Sequence, residues 1–74
     1  MFKKSILAEL IDAAVEDCYS YGEGRKDDEE NLGLRVTADW VECEDPEYES
    51  IINICIFQND ILKLTYNDPE TKCN

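Results

Sequence analysis

The side chains with the most chemical potential in this chain are carboxylates. Eighteen Asp and Glu residues stand against seven Lys and Arg, for a formal net charge of −11 over 74 residues. They gather in three places. Glu9, Asp12 and Glu16 recur three and four residues apart; Asp27, Asp28, Glu29 and Glu30 are consecutive; Glu42, Glu44, Asp45, Glu47 and Glu49 surround Pro46. Paired carboxylates serve acid–base chemistry only where burial or a neighbouring charge moves a pKa, and a hydrated acidic surface supplies neither. With no histidine, a Ser-His-Asp or Cys-His arrangement is impossible. No glycine-rich loop of the G-x-x-x-x-G-K-[ST] or G-x-G-x-x-G type is present to cradle phosphates. The expectation is a protein that is not an enzyme and has no catalytic residues and no cofactor.

Metal chemistry is expected to be absent too. The run at 27–30 lacks the D-x-[DN]-x-[DN]-G spacing and distal Glu of a calcium loop, and consecutive acids point in different directions. Cys18, Cys43, Cys55 and Cys73 form no C-x-x-C half-site, so zinc has no set of ligands to bind. The four thiols are read as reduced and mostly packed. Glu9 and Asp12 interrupt the apolar run that follows Lys3-Lys4 before it reaches the length of an export signal, and no stretch approaches a membrane span. A cytoplasmic location is expected.

The remaining chemistry is electrostatic. Residues three and four apart on a helix sit about 5–6 Å from one another, which lets the row Glu9, Asp12, Glu16 imitate a line of phosphates. A nucleic-acid binder would carry a basic patch able to displace counterions, and this chain has none. Direct binding to DNA or RNA, or to an anionic membrane, is therefore not expected. The fitting partner is a protein with a basic surface.

Positioning these groups falls to a small α+β domain spanning 1–74. Leu7, Leu10, Ile11, Ala14, Cys18 and Tyr21 recur at helical period, so an amphipathic helix is expected over about residues 3–21, ended by Gly22. Residues 22–33 read as a polar, acidic loop whose middle could wind one extra helical turn. Alternation with period two then predicts strands over about 34–43, 50–57 and 61–66, with turns at 44–47 and 58–60 and a tail at 67–74. The three strands are expected to form an antiparallel meander under the N-terminal helix.

The expected core sets Leu7, Leu10, Ile11, Ala14 and Cys18 against Leu34, Val36, Trp40, Ile52, Ile54, Ile56, Leu62 and Leu64. That assignment leaves Val41, Ile51, Cys55, Phe57 and Ile61 on the outer face of the sheet, a possible docking or dimer surface.

In size, acidity, lack of catalytic residues and helix-then-strands order, the chain resembles small phage-encoded inhibitors of host nucleic-acid enzymes, including anti-CRISPR and anti-restriction proteins that mimic DNA. The resemblance spans the whole chain in style and rests on no motif. It implies a viral inhibitor that occupies a nucleic-acid site in the cytoplasm of a bacterial host. The candidate contacts are Glu9, Asp12, Glu16, Asp27, Asp28, Glu29, Glu30, Glu44, Asp45 and Glu47, with Trp40 or Tyr48 as possible hot spots. The alternative is an accessory module that dimerises or docks through the outer sheet face.

Overall fold

The computed structural model describes residues 4–31, 33–42, 50–69 and 71. It is an α+β domain in the order helix α1 (Lys4–Tyr21), then strands β1 (Glu23–Asp28), β2 (Leu34–Val41), β3 (Ile51–Gln58) and β4 (Ile61–Asn67). The strands form one antiparallel sheet in the order β1-β2-β3-β4. The sheet therefore has four strands, not three, because part of the expected loop at 22–33 is the strand β1.

Helix α1 ends where Gly22 takes a left-handed φ of 89° and its N–H returns to the Cys18 carbonyl at 2.9 Å, a glycine cap that reverses the chain. The reversal lays β1 directly under the helix. Gly24 is buried there, and a Cβ at that position would overlap the Ala14 carbonyl oxygen. Glycine is thus required at Gly24 by the close approach of helix and strand rather than by its dihedral angles. In register with Gly24 on β2 stands Ala38, also buried, so small residues meet small residues under the helix.

The core follows from this contact. Ala14 and Cys18 of the helix bury against Val36, Ala38, Ile52, Ile54 and Ile56, with Leu7, Leu10, Ile11, Val15 and Tyr66 packed around them. β2 and β3 alternate as the period of two requires, with Leu34, Val36 and Ala38, then Ile52, Ile54 and Ile56, all inward. Burying side chains such as these supplies roughly 1.5–3 kcal/mol each toward folding.

Several inward assignments are corrected. The helix lies over β1 and β2, reaches part of β3, and makes no close backbone approach to β4. Leu64, paired with Ile56, is on the helix side as expected but 53 % exposed, because no helix covers it. A register shift at Ile56/Phe57 then aligns Leu62 with Phe57, which moves Leu62 out of the expected core to the outer face. Ile61, opposite Gln58, moves the other way, from the expected outer face to the helix side. Trp40 is 38 % exposed rather than buried: it closes the end of the core, donating from Nε1 to the Cys18 carbonyl at 3.1 Å and meeting Tyr19 edge-on at 5.5 Å. Tyr21, expected on the apolar face, is exposed at the last residue of the helix.

Two tight ends complete the sheet. Asn59 and Asp60 both adopt left-handed φ values, 51° and 65°, as a two-residue hairpin of the primed type demands. The Asn59 N–H donates to the Gly33 carbonyl at 3.1 Å, tying this hairpin to the β1–β2 connection. At the other end of β3, the Asp68 N–H donates to the Ile52 carbonyl at 2.8 Å and the Ile52 N–H donates to Thr71 Oγ1 at 2.9 Å. The turn expected at 44–47 lies outside the described residues.

The Gly24 contact predicts that Gly24→Ala destabilises the domain by about 2 kcal/mol or more, since neither the helix backbone nor the strand has room to yield. Ile54→Ala in the centre of the sheet should cost roughly 2–5 kcal/mol. Urea denaturation of both variants checks the pair; a Gly24→Ala variant as stable as wild type would place β1 away from the helix.

Candidate interaction surface

The structure sorts the acidic residues by what they already hold. Glu9, Asp12 and Glu16 are exposed along one side of α1, and none makes an ion pair among the described residues. Asp17, one residue on, is engaged: Lys26 Nζ of β1 lies 2.8 Å from its carboxylate, and that bond holds the ammonium above the usual lysine pKa. Asp27 is 3.1 Å from Arg25 Nε on the exposed edge strand. Asp28 is structural, accepting from the Asn31 side-chain amide at 2.7 Å and from the Asn31 backbone N–H at 3.2 Å to form the turn. Glu29 and Glu30 are exposed at that turn. The 27–30 run is therefore not one uniform cluster. Glu44, Asp45 and Glu47, and the aromatic Tyr48, lie outside the described residues.

Because α1 is offset toward β1, a groove opens between the helix and the β3–β4 side of the sheet, with a volume of about 490 Å³. Ile11, Val15, Tyr19, Ile54 and Tyr66 form its apolar lining; Asp12 and Glu16 stand on the helix rim, with Asp68 and Pro69 opposite. Two members of the exposed acidic row thus border a concave apolar surface. Sequence periodicity places Ile11 and Val15 near the acids but cannot show this groove, because it exists only through the helix offset. The same negative surroundings act on Tyr66, whose phenol is pushed above its ordinary pKa by burial first, then by Asp68 and Asp12.

A further acidic pair was not legible from the sequence. Glu23 and Asp39, both exposed, stand directly opposite in the β1–β2 register, where like charges repel. Burial raises the Cys18 thiol pKa, and Asp39 and Glu23 raise it further. The signal lies in strand pairing, and β1 carries no apolar alternation to reveal it.

The outer face is mixed. Val41 is exposed, Ile51 and Phe57 are half-buried, and Arg35 stacks 4.5 Å over the Phe57 ring while bonding Asp60 at 2.8 Å. Asn53, Cys55 and Thr65 form a polar knot between these apolar ends: the Cys55 thiol is 3.3 Å from Asn53 Oδ1 and 3.4 Å from Thr65 Oγ1. Cys18 and Cys55 are free thiols, while Cys43 and Cys73 lie outside the described residues. Among the described residues, no three Cys, Asp or Glu side chains converge as metal ligands. No described helix is long and apolar enough to cross a membrane.

No protein-family model, curated protein or solved structure matches this chain.

The groove makes Tyr66 a reporter. Its raised pKa means the folded protein keeps a phenolic proton that the unfolded chain loses near pH 10, so this group's contribution to stability is intact below about pH 10 and is lost as pH rises through the higher folded pKa. In an ultraviolet titration, Tyr66→Phe should remove the late-ionising step and Asp12→Asn should move it to lower pH. An unchanged late step in Tyr66→Phe would assign it to another tyrosine.

Proposed function

We propose that this domain is a non-catalytic acidic binding protein that occupies a basic, nucleic-acid-binding surface of a partner protein by polyanion mimicry. The observation that carries this reading is the row Glu9, Asp12 and Glu16, exposed on α1 and free of ion pairs among the described residues, while Arg25, Lys26 and Arg35 are all bonded to other acids. A rigid helix holds the row at fixed spacing. Such a surface is costly to leave unneutralised, and a basic groove supplies the missing cations.

The groove beside the row adds specificity to charge. Asp12 and Glu16 receive Lys or Arg side chains, and the apolar surface of Ile11 and Val15 receives the aliphatic part of the same partner. Glu29 and Glu30 offer a second exposed acidic point, whereas Asp28 is committed to its turn. The sequence resemblance to phage-encoded inhibitors agrees with this role, and a bacterial cytoplasm is the setting it implies. A second reading, docking through the outer sheet face, draws on the exposed Val41 and on Leu62 beside Phe57. Salt separates the two, because charge-driven association weakens with screening and apolar association holds.

The test is charge reversal. Proteins retained from a bacterial lysate on the immobilised domain, and released by stepped salt, supply the partner. Glu9→Lys, Asp12→Lys and Glu16→Lys together should leave the fold intact and slow association about tenfold or more, since electrostatic steering raises on-rates by about 10–10³. Double-stranded nucleic acid bound by that partner should compete with the wild-type domain. Equal binding by the triple variant at low salt, or simultaneous binding of domain and nucleic acid, would overturn the mimic reading.

A further inference from the structure

The two edges of the sheet are built differently. β1, at one edge, carries Glu23, Arg25, Lys26, Asp27 and Asp28, charges of the kind that blunt an edge against pairing. β4, at the other edge, carries a single charge, Lys63, and no carboxylate in a chain with 18. Its apolar side chains are uncovered: Ile61 is 59 %, Leu62 51 % and Leu64 53 % exposed. Among the described residues, the strand order leaves its outer row of N–H and C=O groups without a strand partner.

We infer that β4 is a homodimer seam, at which two copies join antiparallel about a two-fold axis perpendicular to the sheet, making one continuous eight-stranded sheet. Charge selects the occupant. Two copies at −11 each repel through their carboxylates, and the acid-free β4 is the place where one copy can approach another without opposing acids. A strand edge is also self-complementary under a two-fold axis, as an isologous interface requires.

The sequence of β4 favours one register. A centre at Thr65 sets Leu64 against the second copy's Tyr66, an aliphatic–aromatic pair on the helix side, with Lys63 against Asn67. A centre at Leu64 would instead oppose Asp60 and Asp68. The irregularity at Ile56/Phe57 and Lys63 shorten the regular edge to Leu64–Asn67, so the seam is small and the dimer weak. The perpendicular axis keeps both helices, and both acidic rows, on one face of the joined sheet.

Salt gives this seam a sign opposite to that of the acidic helix face. Screening relieves repulsion between the two copies, so the dimer tightens as salt rises, and the seam and the polyanion-mimic reading can fail independently. Sedimentation equilibrium of the wild-type chain, from about 10 μM to 1 mM, should show the mass rising from one chain toward two, with the midpoint shifting several-fold to lower concentration between about 0.05 and 0.5 M salt. The amides of Thr65 and Asn67, which alternate with those bonded to β3 and so face the seam, should exchange with solvent more slowly at the concentrated end. Leu64→Lys and the milder Leu64→Thr, both at an exposed position, should remain single chains under the same conditions. A wild-type mass of one chain throughout, a dimer that loosens with salt, or Leu64 variants that dimerise like wild type would each overturn the inference.

Discussion

The close approach of the Gly24 backbone to the carbonyl of Ala14, which leaves no room for a Cβ, governs where everything else lies. Gly22 caps the helix and turns the chain back, and Gly24, having no Cβ, lets the returning strand slide beneath the helix that precedes it. Ala38, beside Gly24, continues the small-residue floor into β2. Lys26, two residues on, is held by Asp17, which fastens β1 to the helix through a partly exposed ion pair whose own contribution is modest. Trp40 seals the far end by bonding the same Cys18 carbonyl that accepts the Gly22 N–H. A larger residue at Gly24 would force the helix outward and open the space filled by Ala14 and Cys18.

An offset helix is the price of that close fit. With α1 drawn toward β1 and β2, the helix side of β4 is left largely uncovered, and this single displacement produces both the groove lined by Ile11, Val15, Ile54 and Tyr66 and the exposure of Leu64. It also segregates charge. Glu9, Asp12 and Glu16 are exposed on the helix, Asp12 and Glu16 at the groove's rim, while β4 is almost free of charge. The proposed roles of the acidic face and of the β4 seam both descend from this asymmetry, yet they draw on different residues and respond oppositely to salt.

What could be read from the sequence was whatever had a clean apolar period. The helix, β2 and β3 announce themselves through Leu10, Ala14 and Cys18, through Leu34, Val36 and Ala38, and through Ile52, Ile54 and Ile56, and they lie as expected. β1 was hidden because its inward positions are Gly24, Lys26 and Asp28: a glycine that buries no side chain, a lysine that reaches Asp17 and an aspartate that builds a turn. Missing that strand misplaced the helix over the sheet, and the burial expected of Leu64 failed with it; Trp40 is exposed instead because it stands at the end of the core, against Tyr19 and the Cys18 carbonyl. Leu62 and Ile61 were misassigned for a separate reason, since a register shift exchanges faces without leaving a mark in the hydrophobic pattern. The acidic row on α1 was legible because helical spacing alone places it; the partners of Asp27 and Asp28, and the opposition of Glu23 and Asp39, depend on pairing that periodicity does not encode.

The placement of β1 beneath the helix is the claim on which the groove, the acidic face and the bare β4 edge all rest, and nuclear Overhauser spectroscopy of the labelled protein tests it most directly. The structure requires contacts from the Gly24 Hα protons to Ala14, and cross-strand contacts joining Gly24 to Ala38 and Lys26 to Val36. Those contacts, with strand-like chemical shifts over residues 23–28, are the expected result. Random-coil shifts across 23–28, with no contact between Gly24 and Ala14, would contradict the account.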